Sequence, residues 1–160
     1  ALLGVGGAAA GIAAGGSLEE KIAGGLPHDE LFVYEEALRR GRSVLIVVAE
    51  SEEQAERARG LLSESNAESL DAAREDWWVG LRDGEESEYA SQKGDFKKDE
   101  PVYRRGFEAA LHPRARGRSF DEDAERLSER FGGEYAEESF RRGYLRGRQY
   151  EQSLSEKYKG

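Results

Sequence analysis

The first sixteen residues, ALLGVGGAAAGIAAGG, constrain the fold more than any other part of this chain. Gly7, Gly11 and Gly15 recur at every fourth position, which in a helix places them on one face without side chains. Another helix can approach such a face to backbone contact, as in the small-xxx-small contacts of membrane helices. We therefore predict that the chain associates through this glycine stripe.

Three environments remain open for this segment. It could be a Gly/Ala-rich loop or buried helix, a helix–helix contact within or between subunits, or a membrane contact. It is too short to span a bilayer, which takes about 20 residues, and it lacks the basic region of a signal peptide. Because the chain starts at Ala1 and contains no methionine, we expect a further piece to precede it.

Composition limits the classes of function. The chain has no cysteine, which excludes a disulfide framework, a thiolate metal site and a cysteine nucleophile. The net charge of −9 is uneven: residues 1–100 hold 11 Lys and Arg against 22 Asp and Glu, whereas residues 101–160 hold 13 against 11. An acidic body disfavours nucleic acid as a partner, since phosphate contacts need a basic face. We expect a cytoplasmic protein.

A helix–strand–helix unit follows the glycine stripe. Acidic residues after Pro27 favour a helix that ends at Gly41, a residue suited to a left-handed cap. The continuous apolar run 43–49 then predicts a strand covered on both faces, or a central strand with one heavily packed face. Ser51 and Gln54 form a capping-box pattern that starts a second helix. The strand needs partners, from a preceding piece or from another copy of the chain.

Residues 66–100 carry weaker signals. Residues 66–70 are compatible with a second short strand. Residues 71–100 are interpreted as an acidic, polar connector. Within it, residues 81–100 are polar, contain glycine and lack a period, so we predict an extended or poorly ordered segment there. Trp77 and Trp78 are expected to anchor this connector on the core.

The chain from residue 101 onward is predicted to be helical. The pattern aromatic-RRG-aromatic occurs twice, as Tyr103–Phe107 and, 37 residues later, as Phe140–Tyr144. The aromatics at positions i and i+4 share a helix face. This indicates a core stripe with solvated arginines or, alternatively, a groove that docks a peptide or a protein. Between the two copies, residues 120–131 predict a third helix that is closed by Gly132.

Part of the chain resembles the second half of small bacterial general-stress (heat-induced stress) domains, in which a Gly-rich segment precedes a helix, an apolar strand and a second helix. The positions that carry the resemblance are Gly25, Leu26, Pro27, Asp29, Glu30, Tyr34, Glu35, Glu36, Arg40, Gly41 and the run 44–48. The C-terminal segment is similar to tails attached to such domains. The resemblance implies a split βαβ sandwich whose first strand and helix would precede Ala1, and it implies no known enzymatic activity.

No motif indicates catalysis or a cofactor. His28 and His112 are expected to cap helix ends, and the paired glutamates lack the Glu-x-x-His companion of di-iron bundles. No serine lies in a nucleophile-elbow pattern. We therefore expect no enzyme activity, no metal and no cofactor.

Five arginines form the most distinctive polar feature. They are Arg104, Arg105, Arg114, Arg116 and Arg118. Clustered guanidinium groups favour carboxylate or phosphate partners. The alternatives are pairing with acids of the same chain, an acidic surface of a partner subunit, or nucleic acid.

These observations predict an α+β protein: a small α/β sandwich of split βαβ character, incomplete at its N-terminus, followed by a helical C-terminal part. The expected divisions are 1–70, 71–100 and 101–160. The predicted function is a non-enzymatic self-associating or scaffold subunit with a stress-related role, either a homo-oligomer or part of a larger complex. The alternative is a peripheral membrane protein attached by its Gly-rich segment.

Overall fold

A computed structural model of the protein describes residues 2–5, 30–47, 49–91 and 94–157. Within these ranges the chain is mostly helical. The α-helices are α1 (Leu31–Arg39), α2 (Glu52–Glu64), α3 (Leu70–Ser91), α4 (Phe96–Ala110), α5 (Ala124–Phe131) and α6 (Glu138–Lys157). Two short 3-10 helices, Pro113–Ala115 and Gly132–Ala136, flank α5. The strands are β1 (Leu2–Val5), β2 (Ser43–Ile46) and β3 (Glu68–Ser69).

The predicted α/β sandwich is wrong. The described strands are two to four residues long, which is too short to form a layer that helices could cover. They pair in the order β2-β1-β3, and both pairs are antiparallel. The chain divides into two compact units, one made of Ala1–Leu26 and Phe32–Asp83 and the other of Pro27–Leu31 and Gly84–Gly160.

The prediction for the strand at 43–49 is only partly confirmed. A strand forms at Ser43–Ile46, and its partner β1 comes from the same chain. It is not central, however, because it lies at the end of the described sheet. Leu45 and Ile46 retain 44% and 40% of their exposure, so the strand is not covered on both faces. Of the Gly-rich start, Leu2–Val5 is a strand, whereas Gly7, Gly11 and Gly15 lie outside the described residues.

Local signals for the first two helices are confirmed. Helix α1 ends at Arg39, and Gly41 adopts the left-handed conformation with φ +74°. At the start of α2, the Ser51 hydroxyl accepts a hydrogen bond from the Gln54 amide at 3.2 Å. The Gln54 side chain accepts one in return from the Glu50 amide at 2.9 Å. This reciprocal pair satisfies two amides that the first helical turn leaves without partners.

The prediction that residues 81–100 are extended or poorly ordered is wrong, because most of them are helical. Helix α3 runs over Leu70–Ser91, and Phe96 begins α4. Trp77, Glu85 and Tyr89 are buried along α3 at spacings of multiples of four, which is one helical face. The expectation that Trp77 and Trp78 anchor the core is confirmed, since they are 2% and 1% exposed. The Trp77 ring packs 4.8 Å from the ring of Phe32.

The helical prediction for the C-terminal part is confirmed. Phe140 and Tyr144, the aromatics predicted to form a core stripe, are buried in α6, and Gly147 is buried there too. Gly132 closes α5 in the left-handed region, with φ +56°. One cluster of buried residues joins α4, α5 and α6, and it contains Ala109, Ala110, Ala115, Phe120, Leu127, Phe140 and Tyr144.

Candidate functional site

The two copies of the aromatic-RRG-aromatic pattern meet each other, at a place we call the glycine crossing, formed by Gly106 of α4 and Gly143 of α6. A methyl group built on Gly106 would lie 2.0 Å from the carbonyl oxygen of Phe140. One built on Gly143 would lie 1.9 Å from the carbonyl oxygen of Tyr103. Each copy of the pattern thus contacts the equivalent backbone atoms of the other copy. The two backbones can touch because glycine has no side chain to keep them apart.

A second pair of small residues extends the glycine crossing by one turn. Gly147 faces α4 so closely that a methyl group there would lie 2.9 Å from the Cβ of Ala110. Gly106 with Ala110, and Gly143 with Gly147, are therefore two small-xxx-small patterns that pack on each other. A contact of the kind predicted for the N-terminal glycine stripe forms here between α4 and α6, whereas the prediction for the stripe itself falls outside the described residues. The helix face that was the alternative candidate for a docking groove is covered by the other copy of the aromatic-RRG-aromatic pattern.

The four arginines of the repeated pattern also have partners within the chain. Arg104 pairs with Glu108 at 2.8 Å, and Arg105 forms an ion pair with Glu134. Arg141 lies over the ring of Phe120, 5.1 Å from its centre. Arg142 lies 5.0 Å from the ring centre of Tyr89 and pairs with Glu138 at 3.2 Å. Intramolecular pairing, one of the predicted alternatives, accounts for Arg104 and Arg105.

The other three arginines of the predicted cluster lie in the loop after α4. Arg114, Arg116 and Arg118 are exposed, and Gly117 between them has φ +76°. Arg118 is close enough to Glu122 to contribute to the lowered pKa of that carboxylate, although hydrogen bonds from Ser119 contribute more. Arg104, by contrast, is partly covered on α4, with 21% of its side chain exposed.

A buried carboxylate, Glu85, joins α3 to both helices of the glycine crossing. It is 5% exposed. The Tyr103 hydroxyl donates to it at 2.6 Å, and Arg146 donates through Nε at 3.0 Å and Nη2 at 2.7 Å. Because both carboxylate oxygens are satisfied, including by a bidentate guanidinium, the buried charge is compensated.

A second buried carboxylate, Asp123, lies at the start of α5 and accepts hydrogen bonds from α5 and α6. Its side chain is inaccessible to solvent. It accepts hydrogen bonds from Arg126, whose Nε lies at 2.8 Å, and from the Tyr144 hydroxyl at 3.0 Å. Arg126 also donates to the carbonyl oxygen of Ala109 at 3.0 Å. Asp123 therefore links α5 to α4 and α6 through charged groups that are almost fully buried.

The tyrosines in these clusters are held in their protonated form. Burial, reinforced by a hydrogen bond to Asp99 at 2.7 Å, raises the pKa of Tyr89 to about 12. Burial and the neighbouring carboxylates Glu85 and Asp123 raise the pKa values of Tyr103 and Tyr144 still further. Near neutral pH these phenols act as hydrogen-bond donors and not as bases.

These raised pKa values predict an alkaline loss of stability. The unfolded chain releases phenolic protons near pH 10, whereas folded Tyr89 keeps its proton to about pH 12. Between these values the folded state binds more protons, so the free energy of unfolding falls as pH rises. Urea unfolding at pH 9, 10 and 11, with ionisation followed at 295 nm, should show that fall. The Tyr89→Phe variant should show a smaller one, and an equal fall in both proteins would contradict the assignment.

The histidine and carboxylate patterns reveal no metal site in the described parts of the chain. No group of three metal-binding side chains occurs there. His112 caps the 3-10 helix that follows α4, because its Nδ1 accepts a hydrogen bond from the Arg114 amide at 3.0 Å. His28 lies outside the described residues. Glu35 and Glu36 pair with Arg39 at 3.2 Å and 3.5 Å, as expected of a solvated helix face.

Strand β2 exposes an apolar surface, whereas its sequence predicts a covered strand. Leu45 and Ile46 are adjacent, so they point to opposite faces of the sheet, and both are well exposed. Native proteins usually protect a sheet edge with charged or bulged residues, yet residues 43–47 carry no charge. Such a segment can accept another strand through its backbone and cover its side chains at the same time.

Comparisons of the chain with protein-family models, with curated proteins and with solved structures gave no match. The resemblance to general-stress domains stays a prediction. Of the described helices, none is both long and apolar enough to cross a bilayer. The predicted membrane attachment depends on the Gly-rich segment, most of which lies outside the described residues.

Proposed function

We propose that the protein is a non-enzymatic, self-associating subunit that acts as a scaffold or accessory protein and joins other chains at strand β2. The observation that carries the proposal is the exposure of Leu45 and Ile46, 44% and 40%, on a strand without charges. A stress-related role remains what the sequence resemblance implies.

The distribution of small and apolar residues supports this choice of surface. The small-xxx-small patterns of α4 and α6 are used within one unit, where Gly106 and Gly143 bring the two helices to backbone contact. The arginines of the repeated pattern pair with acids and rings of the same unit. Strand β2 combines apolar side chains with a backbone able to bond a further strand.

The proposal predicts that a charge on β2 will weaken association strongly. Leu45→Glu would bury carboxylates at the contact of every assembled pair, so we expect dissociation constants to rise by about 100-fold. Sedimentation velocity over a range of micromolar concentrations measures this effect, and far-UV circular dichroism verifies that the helices remain.

Leu61→Glu is the matched control. Leu61 is 58% exposed on α2, so the same change in charge and hydropathy is made on a helix surface. We expect this variant to assemble like the unmodified chain. A chain that sediments as a monomer at all concentrations would overturn the proposal, as would equal weakening by both substitutions.

A further inference from the structure

We infer that the exposed arginines of the loop after α4 bind the acidic start of α2 in a second copy of this chain. The arginine loop is residues 112–118, and its exposed arginines are Arg114, Arg116 and Arg118. The acidic patch of α2 consists of Glu52, Glu53 and Glu56. The inference rests on the proposed self-association and adds a second, electrostatic contact between copies.

The arginine loop is held in one conformation by its own unit. Ala115 within the loop and Phe120 just after it are buried in the cluster shared by α4, α5 and α6. The Ala115 amide donates to the carbonyl oxygen of His112 at 2.8 Å, and the Arg118 amide donates to that of Ala115 at 3.0 Å. Because the backbone is already ordered, binding of a partner to the arginines costs little loop entropy.

The arginine loop and the turn after it carry an excess of surface positive charge. The loop contains three arginines and no acid. Of the acids that follow, Asp123 is buried in an ion pair, and Asp121 is exposed. The Glu122 carboxylate, which lies near Arg118, accepts hydrogen bonds from the amide and hydroxyl of Ser119 at 2.7 and 2.9 Å. Three guanidinium groups therefore lie beside two surface carboxylates, one of which is already hydrogen-bonded.

The acidic patch of α2 is the complementary surface on the same chain. Glu52 and Glu56 keep 80% and 68% of their side-chain exposure although both pair with Arg59, and Glu53 beside them is exposed. The whole of α2 is described, and none of its residues is buried. A partner can therefore reach these carboxylates, which guanidinium groups bind through paired hydrogen bonds.

The charge balance favours a second copy over nucleic acid as the partner. Nucleic acid would approach a chain of net charge −9, and three arginines neutralise only about three phosphates. A second copy brings the acidic half of the chain, in which 22 Asp and Glu face 11 Lys and Arg. Because the arginine loop and the acidic patch are different surfaces, their contact is heterologous and can repeat from copy to copy.

Charge reversal followed by mixing tests the inference in the full chain. The loop variant is Arg114→Glu/Arg118→Glu, and the patch variant is Glu53→Arg/Glu56→Arg. Each variant alone places like charges opposite each other, so we expect its dissociation constant in sedimentation velocity to rise at least about tenfold. In an equimolar mixture, the intact loop of the patch variant meets the intact patch of the loop variant. The mixture should therefore recover most of the lost affinity.

Lys97→Glu/Lys98→Glu is the matched control. It makes the same change in net charge as the loop variant, on exposed residues of α4, and should associate like the unmodified chain. Far-UV circular dichroism verifies that the helices of each variant remain. Salt provides a second readout, since raising NaCl from about 0.05 M to about 0.5 M screens exposed charges. It should narrow the difference in affinity between the unmodified chain and the loop variant.

The outcomes separate this inference from the proposed function. If the loop variant associates like the unmodified chain, or no worse than the lysine control, the inference is overturned, while weakening by Leu45→Glu still supports association at β2. If the mixture recovers nothing, the acidic patch is not the partner and the inference is overturned. Retention of a random-sequence DNA duplex by the unmodified chain but not by the loop variant would then assign the loop to nucleic acid. A chain that sediments as a monomer at all concentrations overturns both proposals.

Discussion

Replacing Gly143 with alanine is expected to lower the free energy of unfolding by about 3 kcal/mol or more. The added methyl group would lie 1.9 Å from the carbonyl oxygen of Tyr103 and 3.0 Å from the amide nitrogen of Phe107. Both are backbone atoms of α4, so no side chain can rotate away. The two helices would have to move apart instead. That movement would weaken the hydrogen bonds that Tyr103 and Tyr144 donate to Glu85 and Asp123.

The size of this effect is measured by urea denaturation followed through circular dichroism and tryptophan fluorescence. Because the chain divides into two compact units, the two signals need not coincide. Trp77 and Trp78 belong to the first unit and report on it, whereas much of the helical signal comes from α4, α5 and α6. We expect Gly143→Ala to shift the helical transition, and Gly106→Ala to act in the same direction.

Gly84→Ala is the matched control, since it makes the same change inside a helix. A methyl group at Gly84 would have no atom within 4 Å. Alanine is favoured over glycine in a helix by up to about 1 kcal/mol, so this variant should be slightly more stable than the unmodified chain. If Gly143→Ala and Gly84→Ala change stability in the same direction, the glycine crossing is not as close as described.

The elements predicted correctly from sequence are those with short-range signals. The capping box of Ser51 and Gln54 and the left-handed cap at Gly41 each depend on a few neighbouring residues. Such signals fix where a helix begins or ends whatever lies around it. They do not reveal what a helix or a strand packs against.

Helix α3 was missed because one of its buried positions is charged. Its inward face includes Trp77 and Tyr89 and, between them, Glu85. A glutamate in that position removes the apolar period that marks a helix. Its burial is possible only because Tyr103 and Arg146 bind it, and these residues lie far along the sequence. A polar position satisfied by distant partners gives no local sign that it is buried.

The glycine crossing was missed for a related reason. A sequence shows a glycine stripe directly when the glycines repeat along one segment, as Gly7, Gly11 and Gly15 do. In the described C-terminal part, the pattern is divided between two helices, with Gly106 and Ala110 on one and Gly143 and Gly147 on the other. The usable signal was that a small residue follows the glycine by four positions in both copies of the repeat.

The environment of β2 could not be predicted from its residues. A continuous apolar run is the same whether the strand is covered by its own chain or by another chain. Burial of Leu45 and Ile46 depends on the order of the strands, which the run itself does not encode. Sequence could therefore identify the strand but not its exposure.

The second large effect is expected at Asp123. Its replacement by alanine removes the acceptor for Arg126 and for the Tyr144 hydroxyl. The side chain of Arg126 is only 16% exposed, so its charge would stay largely buried while it loses the Asp123 carboxylate. Breaking one partner of a buried ion pair costs about 3–5 kcal/mol, and we expect a loss of that order for Asp123→Ala in the helical urea transition.

Asp121→Ala provides the comparison, because Asp121 lies two residues earlier on the exposed surface of the same turn. Surface substitutions of this kind change stability by about 0.5 kcal/mol or less. The double variant Asp123→Ala/Arg126→Leu separates the two causes of the loss. This variant removes the buried Arg126 charge together with the Asp123 carboxylate. It should therefore recover a large part of the lost stability, because replacing both members of a buried ion pair by apolar residues often does so. If the double variant were less stable than Asp123→Ala, the hydrogen bond from Arg126 to the Ala109 carbonyl would be the main stabilising contact, and Asp123 would serve chiefly to orient it.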